Sequence, residues 1–126
     1  MGLPELALAL QEFRDERNWA QFHSLRNLIV SLNLEASELL ELTQWKSDAE
    51  MAAIADSASA QEALRDECAD VLIYLLLIAE NAGIDLEEAV SAKLVKNAIK
   101  YPVARSYGSN RKHSEQTGLE DAQEIE

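Results

Sequence analysis

Two pairs of acids stand three residues apart, Glu35 with Glu38 in LEASELLE and Glu67 with Asp70 in RDECADV. Residues at that spacing share a helix face, so each pair can aim at one point. At about 100° per residue with Leu28 as origin, Leu32, Leu39 and Leu42 fall within about 40°, and Glu35 about 20° away. Glu35 therefore lies on the apolar stripe, with Glu38 on its flank and Glu41 further round. The second pair repeats the pattern. Around Glu67, Val71, Tyr74 and Ile78 fall within about 40°, and Asp70 about 60° to one side.

An ionised carboxylate turned toward a core is costly unless it is paired or bound to a metal. These segments offer no obvious set of inward bases, the nearest being Arg65 and Lys46. Brought together, the four acids make an oxygen cage suited to a hard divalent cation, Mg²⁺ or Mn²⁺. The plainer alternative is two solvated acidic helix faces. A di-iron bundle needs Glu-x-x-His on two helices, and neither His23 nor His113 follows an inward Glu at that spacing. One Cys and two distant His do not make a usual zinc site. Tyr74 shares the Glu67 face, and Trp45 and Tyr74 can stack a base or simply pack. Cys68 reads as a small buried residue without chemistry.

Helices must position these groups. Four Gly and two Pro in 126 residues are too few for the turns of an all-β chain. Hydrophobic periodicity predicts four helices and a tail: about Leu3 to Asn18; Ser24, as N-cap, past Trp45; about Ala60 to Asn81, stopped at Gly83; and from Asp85 to about Lys100, before Pro102. MAAIADSASA reads as a fray or connection. The fold class is all-α, a four-helix bundle over residues 1–104, with residues 105–126 a polar, mobile tail. The third helix is apolar almost all round between Val71 and Ala79, so it is central or shared with another subunit.

The 23 acids against 11 bases give a formal charge of −12, which disfavours nucleic acid and anionic membrane as partners. With 48% hydrophobic residues the chain can bury a core. Its longest apolar run, nine residues, is far short of the roughly 20 that span a bilayer. The first residues lack the pattern of a secretory signal, and a single cysteine fits a reducing, cytoplasmic setting.

Three segments, NLIVSLNLEASELLELTQWK, RDECADVLIYLLLIAENAGIDL and KLVKNAIKYP, resemble the MazG-like all-α nucleoside triphosphate pyrophosphohydrolases. RNWAQFHSLRNL is most similar to the dCTP pyrophosphatase branch of that family. The resemblance implies Mg²⁺-dependent hydrolysis of a nucleoside triphosphate between the α and β phosphates, giving monophosphate and pyrophosphate, in the house-cleaning of nucleotide pools. It assigns the metal to Glu35, Glu38, Glu67 and Asp70. It assigns base and sugar to Trp19, Ala20, Gln21, Phe22 and His23 with Trp45 and Tyr74, and the phosphates to Lys93, Asn97 and Lys100 beside Tyr101. Glu38, with Glu41 as second choice, is expected to position or deprotonate the water. A homo-oligomer is implied, a tetramer built from two dimers. A metal-stabilised scaffold or nucleotide-binding module without turnover stays open, as does a phosphohydrolase releasing phosphate.

Overall fold

Capping residues explain where most of the helices begin and end. In the computed structural model, residues 1–112 and 114 are described. Helix α1 (Leu3–Glu16) opens with Pro4 in its first turn, while the Glu5 carboxylate accepts from the Gly2 backbone N–H at 2.9 Å. Asn18 takes a left-handed φ of 52°, which turns the chain into a short 3₁₀ helix, Ala20–Phe22. Ser24 then caps α2 (Leu25–Glu41), its Oγ accepting from the Asn27 N–H at 3.1 Å.

Past Glu41 the chain runs through turns to Trp45, whose φ of 63° is left-handed. The second helix thus ends four residues short of Trp45, where continuation beyond that residue was expected. The stretch expected to be a fray or connection is largely helical, with α3 (Asp48–Ala52) followed by a 3₁₀ helix, Ala53–Asp56. A capping box explains the start of α3: the Ser47 Oγ accepts from the Glu50 N–H at 3.2 Å, and the Glu50 carboxylate accepts from the Ser47 N–H.

Ser57 caps α4 (Ala58–Ala82), and Gly83, at φ 68°, closes it. The Ile84 N–H donates to the Ala79 carbonyl at 2.8 Å across this left-handed residue. Helix α5 (Leu86–Lys100) carries Glu87 and Glu88 in its first turn and Lys100 in its last, both favourable to the helix dipole. A four-residue α6 (Val103–Ser106) starts after Pro102. The described residues contain only helices and turns, six α-helices where four were expected, the short α3 and α6 being the additions. Part of the expected tail, residue 113 and residues 115–126, lies outside the described residues.

The chain divides into two compact units, residues 1–86 and residues 87 onward. In the first, α2 packs along α4, and α1 also packs on α4. Leu28 is 2% exposed, and Leu76, Leu77 and Ala79 of α4 are buried as well. Full burial of a side chain like Leu28 contributes roughly 1.5–3 kcal/mol. The apolar character of α4 is only partly used, since Leu72, Ile73 and Leu75 remain more than a third exposed. Among the described residues no helix is long and apolar enough to cross a membrane.

Candidate metal centre

The packing of α2 along α4 brings acids from both helices together. Glu35, Glu38 and Glu67 each offer a carboxylate oxygen, and the three oxygens lie within 4.8 Å of one another. Glu35 and Glu67 are half-buried and Glu38 is exposed. One oxygen of each half-buried acid, Glu35 Oε2 and Glu67 Oε2, is shielded from solvent and has no hydrogen-bond partner. Such atoms retain a desolvation cost that a cation relieves. The donor set is all oxygen and anionic, so it fits a hard divalent cation rather than a soft one.

The electrostatics agree with the geometry. Loss of water around its carboxylate raises Glu35 above the usual glutamate range, and a hydrogen bond with Glu38 and the charges of Glu38, Asp70 and Glu67 raise it further. Glu67 is raised in the same way, first by desolvation and then by the charge and hydrogen bond of Glu38 and by Asp70 and Asp66. Like charges crowded in one place hold protons when no cation is there to replace them.

Asp70, half-buried one turn beyond Glu67, adds its charge to both Glu35 and Glu67 but stands outside the 4.8 Å set. Its side chain is one methylene shorter than glutamate. Glu41, the exposed last residue of α2, also lies outside the set.

The aromatic residues occupy different settings. Trp19 to His23 form the 3₁₀ turn and its flanks, with the Phe13 and Trp19 rings edge to face at 5.8 Å and Arg17 over the Phe13 ring at 3.6 Å. Phe22 is exposed, while His23 is half-buried and its Nδ1 is shielded without a hydrogen-bond partner. The Gln21 amide donates to the Asn18 carbonyl at 3.0 Å, so it braces the turn. Tyr74 is half-buried on α4. Trp45, by contrast, is 92% exposed and stands out into solvent. In the second unit, Lys93, Asn97 and Lys100 recur along one face of α5, and the Tyr101 N–H donates to the Asn97 carbonyl at 2.8 Å.

Two residues that the sequence reading passed over hold the aromatic turn: Asn27 Nδ2 donates to the Phe22 carbonyl at 3.2 Å, and Asn81 Nδ2 to the His23 carbonyl at 3.2 Å. The position of Asn27 just after the Ser24 cap could have signalled the first. Nothing in the sequence signals the second.

The packed helices and their converging carboxylates define an all-helical protein with an acidic, cation-suited centre. The MazG-like family model matches residues 30–115, and the chain belongs to that family. The chain is 46% identical over 104 residues to a Rattus norvegicus protein named dCTP pyrophosphatase 1, a match covering 82% of this chain and 61% of that one. The Homo sapiens protein of the same name is 43% identical over the same length and the same shares. The chain thus spans about three-fifths of the length of the curated relatives it matches. A crystal structure of a pyrophosphatase from Archaeoglobus fulgidus aligns with a TM-score of 0.71 at 44% identity, covering 79% of this chain and 91% of that one.

Proposed function

We propose that this chain hydrolyses nucleoside triphosphates to the monophosphate and pyrophosphate, acting on dCTP or on related or modified cytidine nucleotides in nucleotide-pool house-cleaning. The observation that carries the reading is the pair of shielded, unpartnered carboxylate oxygens of Glu35 and Glu67 beside Glu38, in a chain of the MazG-like family. The names of its relatives supply the substrate class. Glu35, Glu38 and Glu67, with Asp70 adding charge, are the residues that would hold Mg²⁺, with Mn²⁺ as substitute. A divalent ion there supplies the positive charge that offsets the triphosphate's and makes a water easier to deprotonate.

The chain's own groups do the rest. Glu38 is the exposed member of the set, which supports assigning it to orient the attacking water and take its proton, with Glu41 as second choice. The water oxygen bonds to the α phosphorus as the bond from that phosphorus to the bridging oxygen breaks, and pyrophosphate leaves. Trp19 to His23, Trp45 and Tyr74 are assigned to base and sugar, since every base offers a face on which an aromatic ring can stack. The ammonium and amide groups of Lys93, Asn97 and Lys100, beside Tyr101, suit phosphate oxygens.

We also propose a homo-oligomer, a tetramer built from two dimers, working in the reducing cytoplasm. Leu34, Leu40, Leu72, Ile73 and Leu75, all exposed on α2 and α4, are the apolar surface that a second copy would cover. Light scattering after gel filtration reads the assembly. The activity is tested on a panel of ribo- and deoxyribonucleoside triphosphates, 5-methyl-dCTP included, with Mg²⁺ and with chelator. Mg²⁺-dependent monophosphate plus pyrophosphate, with cytidine nucleotides ranked first, is expected. Release of phosphate, or cation-dependent stabilisation with no product, refutes the reading.

A further inference from the structure

The last turn of α4 grips both ends of the aromatic turn through two consecutive residues. Glu80 Oε2 accepts from Arg14 Nη1 at 2.9 Å, and Arg14 in turn accepts the Trp19 N–H on its carbonyl at 3.1 Å. Asn81 Nδ2 donates to the His23 carbonyl at 3.2 Å, across 58 residues of sequence. Among the described residues the other side-chain bonds to the turn are local: Gln21 reaches back three residues to Asn18, and Asn27 reaches back five to Phe22. Local bonds set the shape of the turn. The bonds from α4 set where the turn stands relative to the helix that carries Glu67 and Tyr74.

The distinction has consequences because the turn is a short, mostly exposed 3₁₀ segment between a left-handed Asn18 and the Ser24 cap. Few buried contacts hold such a segment, so its placement depends on individual hydrogen bonds. Arg14 pairs at the same time with Asp15 through Nε, at 2.9 Å, so its guanidinium is shared between α4 and its own helix. Asn81 has a fixed role that a carboxylate of the same shape cannot fill, because a carboxylate has no proton to donate to the His23 carbonyl.

We propose that Asn81 is a positioning residue that fixes the Trp19–His23 turn against α4 and thereby sets affinity and base preference, without touching the reacting atoms. The clause on base preference rests on the nucleotide reading given above. Loss of one such bond is expected to change the population of the placed turn by about 3- to 10-fold.

The test compares the full-length wild type with Asn81→Asp and Asn81→Ala. Hydrogen exchange of the peptide spanning residues 19–23 should accelerate about 3- to 10-fold in both variants, with the protection of α2 unchanged. KM for dCTP should rise by a similar factor with kcat within about twofold, and the preference for dCTP over dTTP should narrow. Unchanged exchange in the turn overturns the clamp, whatever the activity. Faster exchange with unchanged KM and base preference overturns its link to the substrate, as does an equal fall in kcat with KM constant. A wild type that turns over no triphosphate refutes the nucleotide reading and the base-preference clause with it, and the exchange measurement then still decides the clamp.

Discussion

Replacing Glu35 by Gln should shift the thermal midpoint in opposite directions with and without a divalent cation. Without a cation, Glu35 Oε2 is shielded and unpartnered, and the charges of Glu38, Asp70 and Glu67 press on the same carboxyl. A neutral side chain of equal size removes that repulsion, so the midpoint in chelator at neutral pH should hold or rise. With a cation at about 100 times its Kd, linkage adds about 2.7 kcal/mol to the wild type. At about 4 °C per kcal/mol for a chain of this size, the cation should raise the midpoint by about 11 °C. Glu35 is one of three acids whose oxygens lie within 4.8 Å, and losing it takes away a third of that set's charge. A loss of affinity of about 100-fold, which even supporting residues of metal sites can cause, leaves the same cation concentration worth about 0.4 kcal/mol, or roughly 2 °C. Differential scanning fluorimetry of both proteins in chelator and in Mg²⁺ or Mn²⁺ reads all four midpoints. A variant with a lower midpoint in chelator and the full wild-type gain with cation would show Glu35 to be an ordinary helix acid and refute the reasoning.

Three further outcomes follow from the same structure. Glu35 and Glu67 hold protons to higher pH in the native chain than the ordinary 4.5, so between that value and their raised values the native state binds more protons than the unfolded one. The stability of chelator-treated protein in urea should therefore fall as pH rises through that window, and a rise would contradict the assignment of the shifts. Glu38→Gln should lower turnover at least about 100-fold while leaving the midpoint in chelator no lower than wild type, and near-normal turnover would remove Glu38 from its role. Leu28→Ala, at the 2% exposed residue of α2, should cost roughly 2–5 kcal/mol in urea unfolding, and a cost under about 1 kcal/mol would mean the core lies elsewhere.

The parts of this fold legible in the sequence are those set by local chemistry. Ser24 and Gly83 mark a helix start and a helix stop because an N-cap oxygen and a left-handed C-cap are strong, short-range requirements. Glu35 stood out because the helical period laid it among leucines, and Glu67 because it shares a face with Val71, Tyr74 and Ile78; the structure shields an oxygen of each. Helix α3 was legible too, through the Ser47–Glu50 box, but its alanine-rich run has no apolar stripe to draw attention to it. The end of α2 was not: the turn at Trp45 uses a left-handed tryptophan, a conformation that nothing in that residue type announces. Periodicity also ranks Asp70 near Glu67, but it does not measure distances between side-chain oxygens, and Asp70 stands outside the 4.8 Å set. The bond from Asn81 to a carbonyl 58 residues away is a product of tertiary packing alone.

The most direct test of the acidic centre as the seat of pyrophosphohydrolysis is ³¹P NMR of dCTP with chelator-treated protein in ¹⁸O-enriched water, before and after Mg²⁺ is added. Expected is no change before the cation, then dCMP and pyrophosphate in equal amounts with the heavy oxygen on dCMP. Label on pyrophosphate, release of inorganic phosphate, or turnover at full rate in chelator would contradict it.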